Sequence, residues 1–232
     1  MKIIAHRCGT DRHPGLTWQA AQYSLEAGAD YVEMDVRYTR DLHPVICHDR
    51  DARLFGEDAN ICDLALAEFL PLRHRDAPVY CAHSLEHMLG SGLAPILLHI
   101  KEGGERMPIL LELLRARDCE AKVVLGVTAA EDAARVKRFN PAIPVLAFMP
   151  SLESALEFAG QGADILRLWE PWADEDAIRR AQALGKEVWI MAKGPFTGYT
   201  DGKNLLRWQR LGVGGVLVNE VNNTILQLRS VT

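Results

Sequence analysis

The chain has 232 residues, 48% of them hydrophobic and 25% charged, and its 26 basic and 31 acidic side chains give a net charge of −5. This composition is typical of a globular protein and excludes a disordered, collagen-like or disulfide-scaffold chain. Because the net charge is negative and no block of basic residues occurs, neither nucleic acid nor an anionic membrane surface is expected as a partner.

The chain contains five cysteines, and no two of them are spaced as Cys-x-x-Cys. Neither a disulfide framework nor a structural zinc site is therefore expected. Reduced thiols are typical of the cytoplasm, which is the predicted location. The apolar run at residues 3–5 is too short for a signal-peptide core. The sequence has no run of about 18 apolar residues, so no stable membrane insertion is predicted.

Short apolar runs alternate with amphipathic stretches along the chain. The runs lie at residues 3–5, 31–36, 45–47, 96–100, 123–127, 145–149, 165–168, 188–192 and 215–218. Continuous apolar runs are typical of parallel strands that are buried on both faces. The stretches between them predict helices at residues 17–27, 107–116, 129–139, 151–158, 174–184 and 205–211. This alternation predicts a parallel α/β fold.

The run at 45–47 cannot be the next parallel strand, because only about eight residues separate it from the run at 31–36, whereas a parallel crossover needs a dozen or more. Residues 37–48 are predicted to leave the end of strand two and fold back. The remaining eight runs predict a (β/α)8 TIM barrel, formed by residues 1–232 as a single domain. Residues 51–95 are predicted to hold a helix and a small insertion. An open doubly wound sheet is the alternative, disfavoured because no Gly-rich phosphate motif follows the first run.

Two acidic residues of the second run share one face. Glu33 and Asp35 are two residues apart, so on a strand their side chains point the same way. Two carboxylates inside a barrel repel each other unless a cation lies between them, and oxygen ligands suit a hard ion such as Mg²⁺ or Ca²⁺. The pair therefore suggests a metal site. The alternatives are that Glu33 faces outward or that both carboxylates pair with Arg or Lys.

Basic side chains end the neighbouring runs. His6 and Arg7 follow the first run, His48 follows the excursion, and Lys101 follows the run at 96–100. Histidine is the natural acid or base near neutral pH, and Arg and Lys bind phosphate or carboxylate groups. With a cation site, this set suits displacement at phosphorus. It suits equally well proton abstraction beside a carbonyl group in a metal-dependent lyase or aldolase.

Five segments of the first fifty residues follow a recognisable pattern. Residues 4–9, 14–17, 28–36, 39–41 and 44–49 read IAHRCG, PGLT, GADYVEMDV, TRD and PVICHD. In this order they resemble the H-R-G, P-E-N-T, G-A-D-x-I-E-x-D-V, T-x-D-G and V-x-x-H-D motifs of the glycerophosphodiester phosphodiesterase family. Weaker similarity to this family continues at residues 84–86, 97–101, 188–190 and 212–219.

The resemblance implies a (β/α)8 barrel of the phosphatidylinositol-phospholipase type. It also implies metal-dependent hydrolysis of a small-molecule substrate, a glycerophosphodiester, to sn-glycerol 3-phosphate and an alcohol. By position, it makes His6 and His48 the acid–base pair and Glu33 and Asp35 metal ligands. The phosphate would be held by Arg7 and Lys101, and the glycerol would pack against Trp189.

The sequence departs from the family pattern at several of these positions. His99 stands where the family has its third acidic metal ligand, so the implied divalent metal, Mg²⁺ or Ca²⁺ in the family, shifts toward Mn²⁺, Fe²⁺ or Zn²⁺. Other departures are Cys8, Gly15, Leu42, Val218 and Asn219. The alternatives are a related phosphodiesterase with a different substrate or metal, and a barrel that binds a phosphoester without catalysis.

Other polar residues near the predicted mouth are assigned weaker roles. Cys8 and Cys47 flank the two histidines and are expected to be buried fillers rather than nucleophiles. Arg167 is expected to point inward if it shares the register of Trp169, where it would be a further phosphate contact. Trp169 and Trp172 either wall the pocket or cap a loop. His13, His43, His74, His83 and His87 are expected to have no role in the chemistry.

Overall fold

The computed structural model describes residues 1–231. Its strands are β1 (Lys2–Ala5), β2 (Tyr31–Tyr38), β3 (Pro44–Ile46), β4 (Ile96–Ile100), β5 (Val123–Val127), β6 (Val145–Ala147), β7 (Ile165–Trp169), β8 (Glu187–Met191) and β9 (Gly215–Val218). Eight of them pair in parallel in the order β1, β2, β4, β5, β6, β7, β8 and β9, and β9 pairs with β1. The ring is therefore closed, and the predicted (β/α)8 barrel is confirmed.

The ninth strand, β3, lies outside the ring. It pairs antiparallel with the second half of β2, where Val36 is opposite Ile46 and Arg37 is opposite Val45. The eight residues between the two apolar runs are too few for a crossover but enough for a hairpin. The predicted excursion is thus an extension of β2 beyond the rim of the barrel, and it returns the chain to the mouth.

The helices lie between consecutive strands along the chain, except the last, which follows β9. They are α1 (Trp18–Ala27), α2 (Leu66–Phe69), α3 (Leu85–Gly90), α4 (Met107–Ala116), α5 (Ala130–Phe139), α6 (Ala155–Gly160), α7 (Glu175–Ala183), α8 (Gly202–Arg210) and α9 (Val221–Val231). Local signals define several of their ends. The Thr17 hydroxyl accepts a hydrogen bond from the Ala20 N–H at the start of α1, and Gly28, with φ of 107°, ends this helix.

Helix α9 is the element that the sequence analysis missed. The Asp11 carboxylate accepts hydrogen bonds from the Val221 and Asn222 N–H groups at its start. This cap comes from the opposite end of the chain, so no local N-terminal signal precedes the helix. Across residues 1–231, the helices are too short or too polar for any of them to cross a bilayer.

Two apolar layers enclose the barrel wall. One lies between the strands and the helices. The other fills the lower interior of the barrel with the side chains of Ile4, Leu97, Val124, Leu146, Ile165, Trp189, Met191 and Leu217. Apolar side chains in this layer close the barrel at its amino-terminal end, so that a ligand can reach the interior only from the carboxyl ends of the strands.

Residues 47–83 form the insertion between β3 and α3. A small apolar cluster stabilises it: Val45, Cys47, Ala52, Ile61, Phe69 and Ala82. The helix predicted within 51–95 is the short α3, in which the Ser84 hydroxyl caps the first turn by accepting from the His87 N–H. The insertion is mostly loop, with the four-residue α2 as its α-helix.

Candidate active site

The predicted site residues meet at the carboxyl ends of the strands, with one exception. A cavity of about 240 Å³ opens there, and its wall includes His6, Arg7, His48, His99 and Lys101. The side chains of Glu33 and Asp35 lie beneath them and are 0% and 1% exposed, respectively. Residues from β1, β2, the hairpin and β4 thus meet at one place, as the barrel geometry requires.

The register between β2 and β4 places a histidine against the carboxylate pair. Asp35 is directly beside His99 in the parallel pairing. The His99 Nδ1 atom lies 2.9 Å from Asp35 Oδ1 and 3.5 Å from Glu33 Oε1. Both carboxylates face the barrel interior, which excludes the alternative that Glu33 points outward.

Two cations flank the same carboxylates. Lys101 Nζ lies 2.8 Å from Asp35 Oδ1, and Arg7 Nε lies 4.0 Å from Asp35 Oδ2. Burial alone would raise the pKa of Asp35, but the hydrogen bond and charge of His99, together with the charge of Lys101, lower this pKa overall. Asp35 is therefore a carboxylate at neutral pH.

Glu33, Asp35 and His99 can together hold a metal ion. One ligand atom from each lies within 4.8 Å of the others. Among the described residues, no hydrogen-bond donor reaches Glu33 Oε1 or Asp35 Oδ2, although both atoms are buried. Buried carboxylate oxygens without a donor are costly unless a cation satisfies them. The residues present therefore fit a divalent cation bound by two carboxylates and one imidazole.

His6 lies in a tight turn directly after β1. Arg7 and Cys8 follow with φ of 51° and 67°, a left-handed conformation that is unfavourable for residues with a side chain. Two hydrogen bonds hold the turn: the Arg7 N–H donates to Glu33 Oε2 over 2.6 Å, and the Leu16 N–H donates to the Arg7 carbonyl over 2.7 Å. The Glu33 carboxylate thus fixes the backbone beside His6.

The hydrogen bond of His6 determines which ring nitrogen is free. Its Nδ1 lies 2.7 Å from Asn219 Oδ1, and the Asn219 amide nitrogen donates to the Thr197 carbonyl over 3.2 Å. The amide oxygen therefore faces His6, so Nδ1 carries the proton and the neutral ring has an unprotonated Nε2. Burial lowers the pKa of His6, while the Glu33 charge and Asn219 act in the opposite direction. His6 is suited to accept a proton at neutral pH.

His48 is held from three sides. Its Nδ1 lies 2.7 Å from Asp49 Oδ1, and the Arg37 Nε–H donates to its carbonyl oxygen over 2.9 Å. Arg7 Nη2 lies 2.6 Å from His48 Nε2. The bond to Asp49 occupies Nδ1 and orients the ring with Nε2 toward the cavity. In this structure Arg7 donates to His48 Nε2. An oxyanion that binds Arg7 would therefore free His48 Nε2.

Trp189 is the exception, and its predicted place against the glycerol is corrected here. Its side chain is 0% exposed and belongs to the lower interior layer. The indole N–H donates to Glu187 Oε1 over 2.8 Å, and the ring contacts Tyr31 and Lys2. Because Glu187 lies at the amino-terminal end of β8, the indole points away from the mouth. Gly215 leaves the necessary space, since a Cβ there would lie 3.0 Å from the indole.

Phe148 and Trp169 are the aromatic residues at the cavity. The Phe148 ring stacks on His99 with a centroid separation of 3.7 Å. It fits there because Gly126 has no side chain: a Cβ at this position would lie 2.4 Å from the ring. Trp169 is the last residue of β7 and lies in the cavity wall. Of the two predicted places for Trp169, a pocket wall or a loop cap, the structure shows the first. No sequence signal predicts Phe148, whose role depends on contact with His99.

The other histidines and the cysteines take no part in the cavity wall. His13, His43, His74, His83 and His87 lie outside the cavity wall. Cys8 and Cys47 are buried. Burial raises the pKa of both thiols, to about 12 for Cys47, so neither is a thiolate at neutral pH. All five cysteines are free thiols.

The fold and the site define a (β/α)8 barrel with two histidines, two cations and a candidate metal site at its mouth, an arrangement suited to phosphodiester chemistry. The chain belongs to the glycerophosphoryl diester phosphodiesterase family, whose model matches residues 6–183. An Oleispira antarctica phosphodiesterase, solved in complex with its product sn-glycerol-3-phosphate, has the same fold, with a TM-score of 0.81 and 20% identity over 99% of this chain and 97% of that one.

Curated relatives match over shorter segments. The glycerophosphocholine phosphodiesterase gde1 of Schizosaccharomyces pombe is 35% identical over 80 residues, which cover 31% of this chain and 7% of that protein. The human lysophospholipase D GDPD1 is 29% identical over 141 residues, which cover 60% of this chain and 42% of that protein. The chain thus matches less than half the length of either relative.

Proposed function

We propose that this protein hydrolyses glycerophosphodiesters to sn-glycerol 3-phosphate and an alcohol, with His6 and His48 as the acid–base pair. The observation that carries the proposal is the meeting of both histidines, Arg7 and Lys101 above the buried carboxylate pair. The names of the relatives and the product complex of the Oleispira antarctica protein support the same substrate class. We also propose that residues 1–232 act as a single domain, which the pairing of β1 with β9 supports.

A divalent metal is part of this proposal, with Glu33, Asp35 and His99 as its ligands. When bound there, such an ion supplies positive charge to a non-bridging phosphate oxygen. The imidazole ligand favours Mn²⁺ or Zn²⁺ over Mg²⁺ or Ca²⁺. Arg7 and Lys101, which flank Asp35, neutralise the other phosphate oxygens and orient the phosphodiester at the mouth.

The two histidines divide the proton transfers between them. His6 Nε2 accepts the proton of the attacking oxygen, which belongs to water or to the glycerol hydroxyl of the substrate. The attacking oxygen forms a bond to phosphorus while the bond from phosphorus to the leaving oxygen breaks. His48 Nε2, which accepts a hydrogen bond from Arg7 in the structure, takes up a proton from solvent once Arg7 has moved away, and it donates this proton to the leaving oxygen while Nδ1 stays bonded to Asp49. When the phosphate draws Arg7 away from His48, Nε2 becomes available for this step.

A distinct pH profile follows from the assignment of His6 as the base. His6 must be neutral to accept a proton, and burial lowers its pKa from the ordinary value of 6.5. Because the active form persists to lower pH, the acid limb of kcat/KM against pH is expected below 6.5. A cation bound at Glu33 would shift this pKa in the same direction. The Asn219→Asp variant places a carboxylate beside Nδ1, so its acid limb is expected at higher pH. Identical profiles for the two proteins would contradict the assignment.

The choice of metal tests whether His99 is a ligand. The His99→Glu variant offers a third carboxylate, so the ratio of Mg²⁺-supported to Mn²⁺-supported turnover is expected to rise by about tenfold or more, an effect of the size seen when groups around a metal are changed. His43→Glu, at an exposed position outside the cavity, is the matched control. An unchanged ratio in His99→Glu would show that His99 does not bind the metal.

A barrel that binds a phosphoester without hydrolysing it is the second candidate. The stacking of His99 on Phe148 favours this binding function, because an imidazole ring that is held by Phe148 and by Asp35 is less free to bind a metal ion. The two candidates differ in one outcome: the binding barrel retains sn-glycerol 3-phosphate without turnover in any metal.

The identity of the products tests the proposed reaction. Phosphorus NMR of glycerophosphocholine incubated with the protein and Mn²⁺ is expected to show the signal of sn-glycerol 3-phosphate. A transient cyclic phosphodiester would identify the glycerol hydroxyl as the attacking group. Phosphocholine as the product would mean that the other ester bond is cleaved, which contradicts the proposal.

A further inference from the structure

Arg167 is a buried cation at the mouth of the barrel that the proposed mechanism does not use. It lies on β7 with its side chain in the wall of the cavity, and it is 4% exposed. Its Nε and Nη1 atoms are buried and have no hydrogen-bond partner among the described residues. Two nitrogens of a planar guanidinium, with three N–H donors between them, are therefore available to a ligand in the cavity.

Aromatic rings, rather than carboxylates, surround this guanidinium. Its Cζ lies 4.3 Å from the Trp169 centroid, 5.3 Å from that of Phe148 and 5.9 Å from that of Trp172. Within residues 1–231, no carboxylate forms an ion pair with Arg167. Burial lowers its pKa to about 10, so it is still charged at neutral pH. An unpaired buried charge is costly to the fold, which indicates that an anionic ligand completes the site.

The position of Arg167 differs from that of the phosphate-binding cations. In the closed ring, β7 is four strands from β2 in either direction, so Arg167 faces the carboxylate pair across the barrel. Phe148, which stacks on His99, contacts Arg167 from between the two sides. At the rim, Lys193 Nζ lies 5.0 Å from the Trp169 centroid, and it adds positive charge on the same side as Arg167.

The charges of the site point to a substrate with two anionic groups. A divalent metal would balance Glu33 and Asp35, which leaves the charges of Arg7, Lys101 and Arg167 in the cavity wall. The Asp49 and Glu170 carboxylates at the mouth are bonded to His48 and to the Lys193 and Gly194 N–H groups, respectively, and not to Arg167. A phosphodiester carries one negative charge, and Arg7 and Lys101 lie beside the place proposed for it. The cation on the far side of the cavity has no partner in a substrate with a neutral or cationic head group.

We infer that Arg167 binds a second anionic group of the substrate, a carboxylate or phosphate on the alcohol that leaves. This inference rests on the proposed function and deepens it: the preferred substrates are glycerophosphodiesters with an anionic head group. Arg167 is thus a specificity-determining residue, and the phosphodiester is held by Arg7 and Lys101 on the opposite side.

Two substrates of matched size test this inference. They are the glycerophosphodiester of 1-propanol, which has a neutral head group, and that of 3-hydroxypropanoate, which ends in a carboxylate. We expect the native protein to favour the carboxylate substrate in kcat/KM by about tenfold or more, the effect of one charge-assisted hydrogen bond. In Arg167→Met the ratio is expected to fall toward one, and in Arg167→Lys to an intermediate value. Arg180→Met, on the exposed face of α7, is the matched control.

A binding measurement separates this inference from the proposed reaction. Trp169 lies against Arg167, so its fluorescence can report titrations with propylphosphonate and with 3-phosphonopropanoate, neither of which is hydrolysed. The second ligand is expected to bind about tenfold more tightly, and Arg167→Met to remove the difference. If neither diester is hydrolysed but this difference is observed, the proposed function fails, and Arg167 is retained only as a residue that binds a second anionic group of a ligand.

Three results would overturn the inference. One is a native protein without preference for the carboxylate in either assay. Another is an Arg167→Met variant that keeps the preference. The third is an equal loss for both substrates and both ligands in Arg167→Met, which would assign Arg167 to the reacting phosphate. Far-UV circular dichroism establishes that each variant is folded. Arg167→Lys retains the charge, so it provides a second comparison if the methionine variant does not fold.

Discussion

Replacement of His6 by Ala is expected to reduce kcat by about 10²–10⁴-fold, the contribution typical of a positioned general base. The reason is the hydrogen bond between Nδ1 and Asn219, which leaves Nε2 as the only proton acceptor of the ring. The loss is expected mainly in kcat, because Arg7 and Lys101 still bind the phosphate. His48→Ala is expected to show a loss of similar size, since the leaving oxygen then has no proton donor.

The measurement is steady-state hydrolysis of glycerophosphocholine at fixed metal concentration. His43→Ala is the matched control, because this exposed histidine lies on the β2–β3 hairpin and not in the cavity wall. Added imidazole is expected to restore part of the activity of His6→Ala, which a purely structural role of the ring does not explain. Native kcat in either alanine variant would reject the proposed acid–base pair.

The Asp35→Asn substitution is expected to abolish metal binding at the site and, with it, turnover. Asp35 offers an oxygen without a hydrogen-bond donor and contacts both His99 and Lys101. The amide removes the charge that attracts the cation. The loss of metal affinity is expected to exceed the roughly 10–100-fold typical of changes in groups that only support ligands.

Calorimetric titration of the chelator-treated protein with Mn²⁺ measures this loss directly. Asp76→Asn is the control, because this exposed aspartate lies in the insertion at a distance from the mouth. Tight Mn²⁺ binding that survives in Asp35→Asn would mean that the metal lies elsewhere. Thermal unfolding identifies any variant that has lost its fold.

The pattern of apolar runs was enough to predict the barrel. Strands that are buried on both faces have continuous apolar sequences, and glycines such as Gly28, Gly185 and Gly212 follow the ends of helices between them. The length of the connection before Val45 was enough to place β3 outside the ring. Helix α9 could not be predicted in this way, because its cap, Asp11, lies at the other end of the chain.

The site was predictable where the residues that form it are close in sequence or carry a family motif. Glu33 and Asp35 share a face because they are two apart on one strand. Trp189 also faces the barrel interior, but the two-residue alternation of a strand does not say whether an inward side chain points to the mouth or to the floor of the barrel. The hydrogen bond from the Trp189 indole to Glu187 shows that it points to the floor. Two features depend on contacts between distant strands: Asn219 as the partner of His6, and the lack of a carboxylate partner for Arg167 among residues 1–231.

Release of sn-glycerol 3-phosphate before and after metal removal is the most direct test of metal-dependent hydrolysis. The chelator-treated protein would be assayed with glycerophosphocholine and glycerophosphoethanolamine after addition of Mg²⁺, Ca²⁺, Mn²⁺ or Zn²⁺ singly. We expect no turnover without metal, and turnover restored best by Mn²⁺ or Zn²⁺. Full turnover in the presence of chelator, or none with any metal from folded protein, would contradict the account.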